Sequence, residues 1–267
     1  MLPFSIDSHS HFDVEAFEPD REACWERARA AGVRAQVVPA IGRYNWERVR
    51  DVAHRYPGIH PAYGLHPVYL DRHRPGHLDE LADWLGREPA VAVGECGLDC
   101  FVEGLDFDVQ WTYFTAQLDL AVQFGLPVII HARRAVDKVT RAVRERPGLT
   151  GVVHSFSGSR QQADKLLEQG MLLGFGGPIT YPRAQRLRRL VGELPLEGIL
   201  VETDAPDQPG VSHRGERNEP AFLPEIIRTL AQLREDDPLR VSQVTADNAR
   251  RLFQLPADLP LPIQPDA

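Results

Sequence analysis

The segment Phe4-Ser5-Ile6-Asp7-Ser8-His9-Ser10-His11 decides how the rest of the chain is read. It opens as a β-type run and closes on two histidines two residues apart. Strand side chains alternate faces, so a strand over Phe4–His11 puts both imidazoles on one side, together with Asp7. Two neighbouring imidazoles can ligate one divalent ion, and a carboxylate beside them can orient a ring. A doubly wound dinucleotide-binding sheet would carry a glycine fingerprint here, directly after its first strand. His-Ser-His stands there instead. Gly174-Phe175-Gly176-Gly177 resembles a phosphate loop only weakly and reads as a turn after a later strand.

Working outward, seven further β-type runs follow: Arg34–Ala40, His60–Gly64, Ala90–Cys96, Pro127–His131, Gly151–Ser155, Met171–Gly174 and Ile199–Thr203. Helical patterns separate them. In Asp108–Phe124, Trp111, Phe114, Leu118, Ala121 and Val122 form an apolar stripe at spacings of three and four. Asp20–Ala31 stops at Gly32. Arg160–Gln169 and Arg183–Val191 are shorter and more charged, and Pro220–Leu233 and Val241–Phe253 close the chain. Strand–helix alternation implies parallel strands covered by helices. Eight repeats in 267 residues fit an α/β fold of the (β/α)8 TIM type better than an open sheet. One domain is expected over residues 1–255, followed by a proline-rich C-terminal tail over 256–267.

The chain is 43% hydrophobic and 25% charged, an ordinary globular composition. Its net charge of -8 does not attract polyanions as a whole, so nucleic-acid binding would need local basic patches or bound cations. Of the three cysteines, Cys96 and Cys100 are too few and too close for a structural thiolate zinc site, and all three read as packing residues, which fits a reducing cytoplasm. The N-terminus does not read as a signal peptide, and no apolar run approaches membrane-spanning length. A cytoplasmic protein without membrane attachment, acting as a monomer, is expected.

In a parallel barrel the catalytic residues sit at the C-terminal strand ends. The polar residues there form a pattern: His9 and His11 after strand one, His66 after strand three, Glu95 on strand four, His131 and Arg133 on strand five, His154 after strand six, and Glu202-Thr203-Asp204 after strand eight. Any one of these histidines could be a hydrogen-bonded core residue. Glu95 could pair with Arg133, and Asp204 could cap a turn. Together, four histidines and two acids at one mouth would cost much desolvation unless divalent cations bind among them. Six groups with one bridging carboxylate suit two ions, each keeping an open position. Lys138 and Lys165 are the only lysines, and both fall in helical stretches, so a carbamylated lysine cannot bridge. The binuclear assignment is His9, His11, Glu95 and Asp204 on one ion, and Glu95, His131 and His154 on the other.

These residues lie in segments that resemble a known family. They are Ile6-Asp7-Ser8-His9-Ser10-His11-Phe12-Asp13, Gly64-Leu65-His66-Pro67, Gly94-Glu95-Cys96-Gly97-Leu98-Asp99, Pro127-Val128-Ile129-Ile130-His131-Ala132-Arg133, Val153-His154-Ser155-Phe156-Ser157-Gly158, Val201-Glu202-Thr203-Asp204-Ala205-Pro206 and Arg217-Asn218-Glu219-Pro220. From Ile6 to Phe253 the chain resembles the TatD-type metal-dependent hydrolases of the amidohydrolase superfamily. The resemblance implies a (β/α)8 barrel with a binuclear site, dependence on magnesium, manganese or zinc, and deoxyribonuclease activity, often trimming 3′ ends of DNA. It also implies that His66 and Arg133 contact substrate phosphate and that Glu202 supports the metal site. Cys96 replaces a more usual aliphatic residue and Cys100 a more usual aromatic; neither is a ligand position.

The expected mechanism is phosphodiester cleavage by metal-activated water, with Asp204 as both ligand and general base and Glu95 as the bridge. Arg133 suits phosphate because its guanidinium can bind it in a bidentate manner. His213, Arg214 and Arg217 in the stretch 205–219 could guide a nucleic-acid strand, and Phe12, Tyr69, Phe156 and Tyr181 could stack bases. The alternative activity is amidohydrolase-type hydrolysis of an ester or amide in a small molecule, which the same metals would serve.

Overall fold

The computed structural model describes residues 4–256. The tail read over 256–267 lies, apart from Pro256, outside the described residues. Eight strands alternate with helices: β1 (Ser5–Asp7), α1 (Arg21–Ala30), β2 (Val33–Pro39), α2 (Trp46–Arg55), β3 (Ile59–Tyr63), α3 (Gly76–Leu85), β4 (Ala92–Asp99), α4 (Phe107–Phe124), β5 (Val128–Arg133), α5 (Val136–Arg144), β6 (Gly151–Val153), α6 (Arg160–Glu168), β7 (Met171–Phe175), α7 (Gln185–Glu193), β8 (Ile199–Val201), α8 (Leu223–Arg234) and α9 (Pro238–Phe253). The strands lie in one sheet in the order β1 to β8. This is the (β/α)8 barrel fold. Every residue of β2 and of β4 is buried, as expected for parallel strands covered on both faces.

Two compact units can be distinguished. The first comprises the chain up to residue 38, residues 52–60 and the chain from residue 174. Within it β1 pairs with β2, Ile6 facing Ala35 and Asp7 facing Gln36. The backbone N–H and the hydroxyl of Ser8 both donate to the Val201 carbonyl (3.1 and 3.0 Å), which joins the end of β8 to β1. The helix α9 is tied beneath β8 by Asn248, whose amide donates to the carbonyls of Leu196 and Ile199, both at 2.9 Å.

The second unit comprises residues 39–51 and 61–173. Its strands β3 to β7 pair in parallel. The β4–β5 register slips between Val93 and Cys96 and then runs Gly97 to His131 and Asp99 to Arg133. Gly94 and Gly97 make that path possible. Both have φ in the left-handed half of the map, +155° and +141°, and a Cβ on Gly97 would run into the His131 carbonyl.

Two sequence expectations change locally. β1 ends at Asp7, so His9 and His11 stand beyond the strand rather than on its face. The amides of Ser8 and Ser10, which a regular strand would aim at the same neighbour, bond to Val201 and Val37 on opposite sides. The chain therefore turns through His9. In α4 Val122 is 52% exposed, and the buried face carries Gln110 and Gln117 among Tyr113, Phe114, Leu118 and Ala121. A polar line, not only an apolar stripe, meets the sheet.

Candidate metal centre

In the first unit, His9, His11 and Asp204 come together. The two Nε2 atoms are 3.4 Å apart, and each is 3.6 Å from Asp204 Oδ1. Donor atoms bound at about 2.0–2.1 Å to one tetrahedral ion stand roughly 3.4 Å from each other, so this triangle has the spacing of a chelate. Asp204 is held in an unusual way. Its φ is +56°, a left-handed conformation uncommon outside glycine. Its backbone N–H donates to His9 O (2.9 Å), and the Gln208 amide donates to its other carboxylate oxygen, Oδ2.

Beneath this triangle lies a network not foreseen from the sequence in this form. Asp7 is fully buried and accepts from the Thr203 hydroxyl (2.6 Å), Thr203 N (3.0 Å) and His9 N (3.3 Å). It therefore orients the backbone that carries His9 and Asp204, and not an imidazole ring. Burial pushes its carboxyl up to about 7, against the pull of the Thr203 hydrogen bonds. Asn218 donates to the carbonyls of Thr203 and Asp207, both at 2.7 Å, and so ties the following loop to the same strand end. Glu202 is buried, and a side chain on Gly174 would collide with its carboxylate.

In the second unit, Glu95, His66, His131 and His154 come together. Glu95 is 1% exposed, and three imidazole nitrogens converge on its Oε1: His154 Nε2 at 2.8 Å, His66 Nε2 at 3.0 Å and His131 Nδ1 at 3.4 Å. His154 Nε2 and His131 Nδ1 also face each other at 3.4 Å. The far nitrogen of His131, Nε2, is bound to Asp99 Oδ2 at 2.9 Å, which leaves Nδ1 turned toward Glu95. A ligating histidine held from behind by a carboxylate is the usual arrangement of a metal site. Burial disfavours the charged form of His131, yet Asp99 and Glu95 outweigh it and raise its pKa. Burial likewise opposes charge on Asp99, while His131 and the amides of Val102 and Phe101 draw its carboxyl far below the usual range. His66 Nδ1 accepts from Val68 N (3.2 Å), which turns Nε2 toward Glu95 Oε1 at 3.0 Å.

Two buried glutamines fix the backbone of this cluster. Gln117 accepts from Leu65 N (2.7 Å) and donates to Leu65 O (3.1 Å), beside His66. Gln110 does the same for Asp99, at 2.7 and 3.0 Å. The two donor sets, imidazoles with a carboxylate, have the chemistry of zinc or manganese ligands, and crowded imidazole nitrogens around a buried carboxylate fit a bound cation. His66, Glu95 and His131 by themselves offer three ligand atoms within 4.8 Å of one another.

Other sequence candidates fall differently. Arg133 ends β5 and is exposed, its guanidinium 3.7 Å from the centre of the Phe101 ring. Among the described residues it has no carboxylate in ion-pair reach, so the pairing with Glu95 or Asp99 does not form. Arg217, expected to guide a strand, is instead locked to Asp20 (2.7 and 2.9 Å), Glu219 (2.7 Å) and the Ala16 carbonyl. His213 stacks on Phe222 with ring centres 3.5 Å apart. Of the aromatics expected to stack bases, Phe12 and Phe156 are core residues, 0% and 2% exposed. Tyr181 donates its hydroxyl to Pro209 O (3.1 Å), and Tyr69 is half-buried. No helix among the described residues is long and apolar enough to cross a membrane.

Comparison with known proteins adds a lineage to this geometry. The family model described as TatD-related DNase matches residues 6–254. The chain is 41% identical over 254 residues to an uncharacterized metal-dependent hydrolase of Escherichia coli K12, YjjV, covering 94% of this chain and 98% of that one. It is 34% identical over 260 residues to a protein of Rahnella named as a 3′-5′ ssDNA/RNA exonuclease, TatD, covering 90% and 95%. The solved structure of the Escherichia coli YjjV protein superposes with a TM-score of 0.92 at 40% identity, covering 96% of this chain and all of that one.

Proposed function

The chain belongs to the TatD-related DNase family of metal-dependent hydrolases, and from that premise we propose that it cleaves phosphodiester bonds in DNA, working on single strands or 3′ ends. The observation that carries this reading is Arg133. An exposed guanidinium without an acidic partner stands two residues from His131, at the strand end where barrel enzymes keep their chemistry. It suits a phosphate oxygen better than an uncharged ester. The Rahnella relative's named activity on single strands points the same way.

In this proposal His9, His11, Glu95 and Asp204 would hold one divalent ion, and Glu95, His131 and His154 a second. Magnesium, manganese or zinc bound there would polarise the phosphoryl group and lower the pKa of a coordinated water. Asp204, whose Oδ1 faces His9 and His11 and whose Oδ2 is secured by Gln208, would be the carboxylate placed to act as general base. Asp99 keeps His131 in the tautomer that offers Nδ1 to the site. His66 presents Nε2, and Arg133 a bidentate cation, to the non-bridging oxygens. Glu202 supports the cluster from the end of β8. We read residues 1–255 as one catalytic domain of a cytoplasmic monomer.

The deciding experiment removes metal, restores one ion at a time, and assays 3′-labelled single-stranded DNA beside a carboxylic ester. The expected result is metal-dependent release of nucleotides from the 3′ end. Turnover of the ester alone would replace the nuclease reading with small-molecule hydrolysis.

A further inference from the structure

We infer that the face formed by the start of α4 and by α5, where cations are exposed and the Phe107 and Trp111 rings half-buried, is a track for the single strand that continues beyond the scissile phosphate. The inference rests on the phosphodiester reading above. Its first rung is Phe101, 44% exposed, with two guanidiniums packed on it: Arg133 at 3.7 Å and Arg134 at 4.6 Å from the ring centre. Arg134 has φ +52°, so the chain takes a conformation uncommon for a non-glycine residue where it sets this second arginine beside the first. The second rung is Phe107, with Lys138 Nζ 5.4 Å from its centre. The third is Trp111, 6.0 Å from Phe107, with Arg141 at 5.9 Å.

The order of these groups follows from helix geometry. Phe107 and Trp111 are four apart on α4, and Lys138 and Arg141 are three apart on α5, so each pair shares a face. At 1.5 Å per residue the two cations are about 4.5 Å apart along the axis. Arg133, Arg134 and Lys138 have no acidic partner in ion-pair reach among the described residues; Arg141 is paired with Glu145 at 3.2 Å. Three unneutralised cations within residues 133–138, in a chain of net charge -8, are the local basic patch that the composition demanded of a nucleic-acid binder. Aromatic rings interleaved with cations suit a single strand, whose bases can stack while its phosphates meet the charges. A duplex would offer no exposed base faces. The row begins two residues from His131, so a strand laid on it would leave its terminal phosphodiester at the metal cluster. Phe101 then acts as a positioning residue that aims Arg133.

The test uses the metal-loaded enzyme. Arg134→Asn with Lys138→Gln removes two charges and keeps a residue tolerant of positive φ at 134. Circular dichroism should report an unchanged fold. The KM for a single-stranded dodecamer should rise at least roughly fivefold, and that for a dinucleotide much less. Binding of the dodecamer to the Asp204→Asn enzyme should lose salt dependence, its log–log slope falling by roughly 0.7 per lost contact. Phe107→Ala should also raise the dodecamer KM roughly fivefold by removing one stacking surface. If wild-type enzyme degrades the dodecamer but these variants keep its KM and salt slope, the track is wrong while the nuclease reading stands. If single strands are neither bound nor cut and only a carboxylic ester is hydrolysed, both fall.

Discussion

His9, His11 and Asp204 stand on irregular chain beyond the last residues of β1 and β8, whereas Glu95 and His131 stand within β4 and β5. The first cluster is held by short-range ties: Asp7 to the amides of His9 and Thr203, and Asp204 to His9 O. The second is held by strand register and by two glutamines reaching from α4. Similar donor chemistry is thus reached by two structural routes. A local hydrogen-bond lattice can place ligands where no regular strand exists, and a long helix can place them where the strand is deformed. The two routes should also fail differently: the first by losing position, the second by losing backbone support.

The harshest way to break the comparison is Glu95→Ala. It removes the oxygen on which three imidazoles converge, so hydrolytic activity should fall to background and bound metal should drop by elemental analysis. Metal content unchanged from wild type would refute the proposed sharing of this carboxylate. Asp204→Asn should cut turnover at least roughly a hundredfold while circular dichroism stays native; near-normal turnover would remove Asp204 from the proton's path. Asp99→Asn sharpens the contrast, because it frees His131 without touching a ligand. Metal affinity or activity should drop about 10- to 100-fold, measured by competition with a chelator.

The milder predictions concern the scaffold. Gln117→Leu should lower stability by about 1–3 kcal/mol, since it leaves the buried Leu65 amide without its acceptor. Urea unfolding measures it, and no loss would mean that the helix is not holding that backbone. The smallest effect belongs to Asp20. Hydrogen bonds from Arg217, then Arg27, hold its carboxyl down to about 2 against the ordinary 3.8. A depressed carboxylate stabilises the fold above its unfolded pKa and loses that contribution as pH falls through the folded one. Asp20→Asn should therefore cost stability at neutral pH and far less near pH 2. The side chain is 36% exposed, so the cost should stay under about 1 kcal/mol. A larger cost at acid pH than at neutral pH would contradict the pairing.

The strands were legible because parallel strands covered on both faces read as apolar runs, and the histidines were legible because they follow those runs directly. The second half of the site was less so. Asp99 sits inside a motif that also contains Glu95, but nothing in its spacing says that it binds His131, 32 residues on. Gln110 and Gln117 look like polar interruptions of a helix, since their partners are backbone groups far along the chain. Arg217 reads as a free cation until folding brings Asp20 to it from 197 residues away. Aromatics near a motif carry no sign of whether they line a rim or fill a core, and Phe12 and Phe156 fill the core.

The paired grip of Gln117 on both sides of Leu65 has a consequence for the timing of motion. The Leu65 amide lies outside any strand, where exchange with solvent deuterium is ordinarily quick, yet its bond ends on a fully buried side chain of the longest helix. Its exchange should follow the undocking of α4, hours rather than seconds, so that the turn beside His66 keeps the clock of the core.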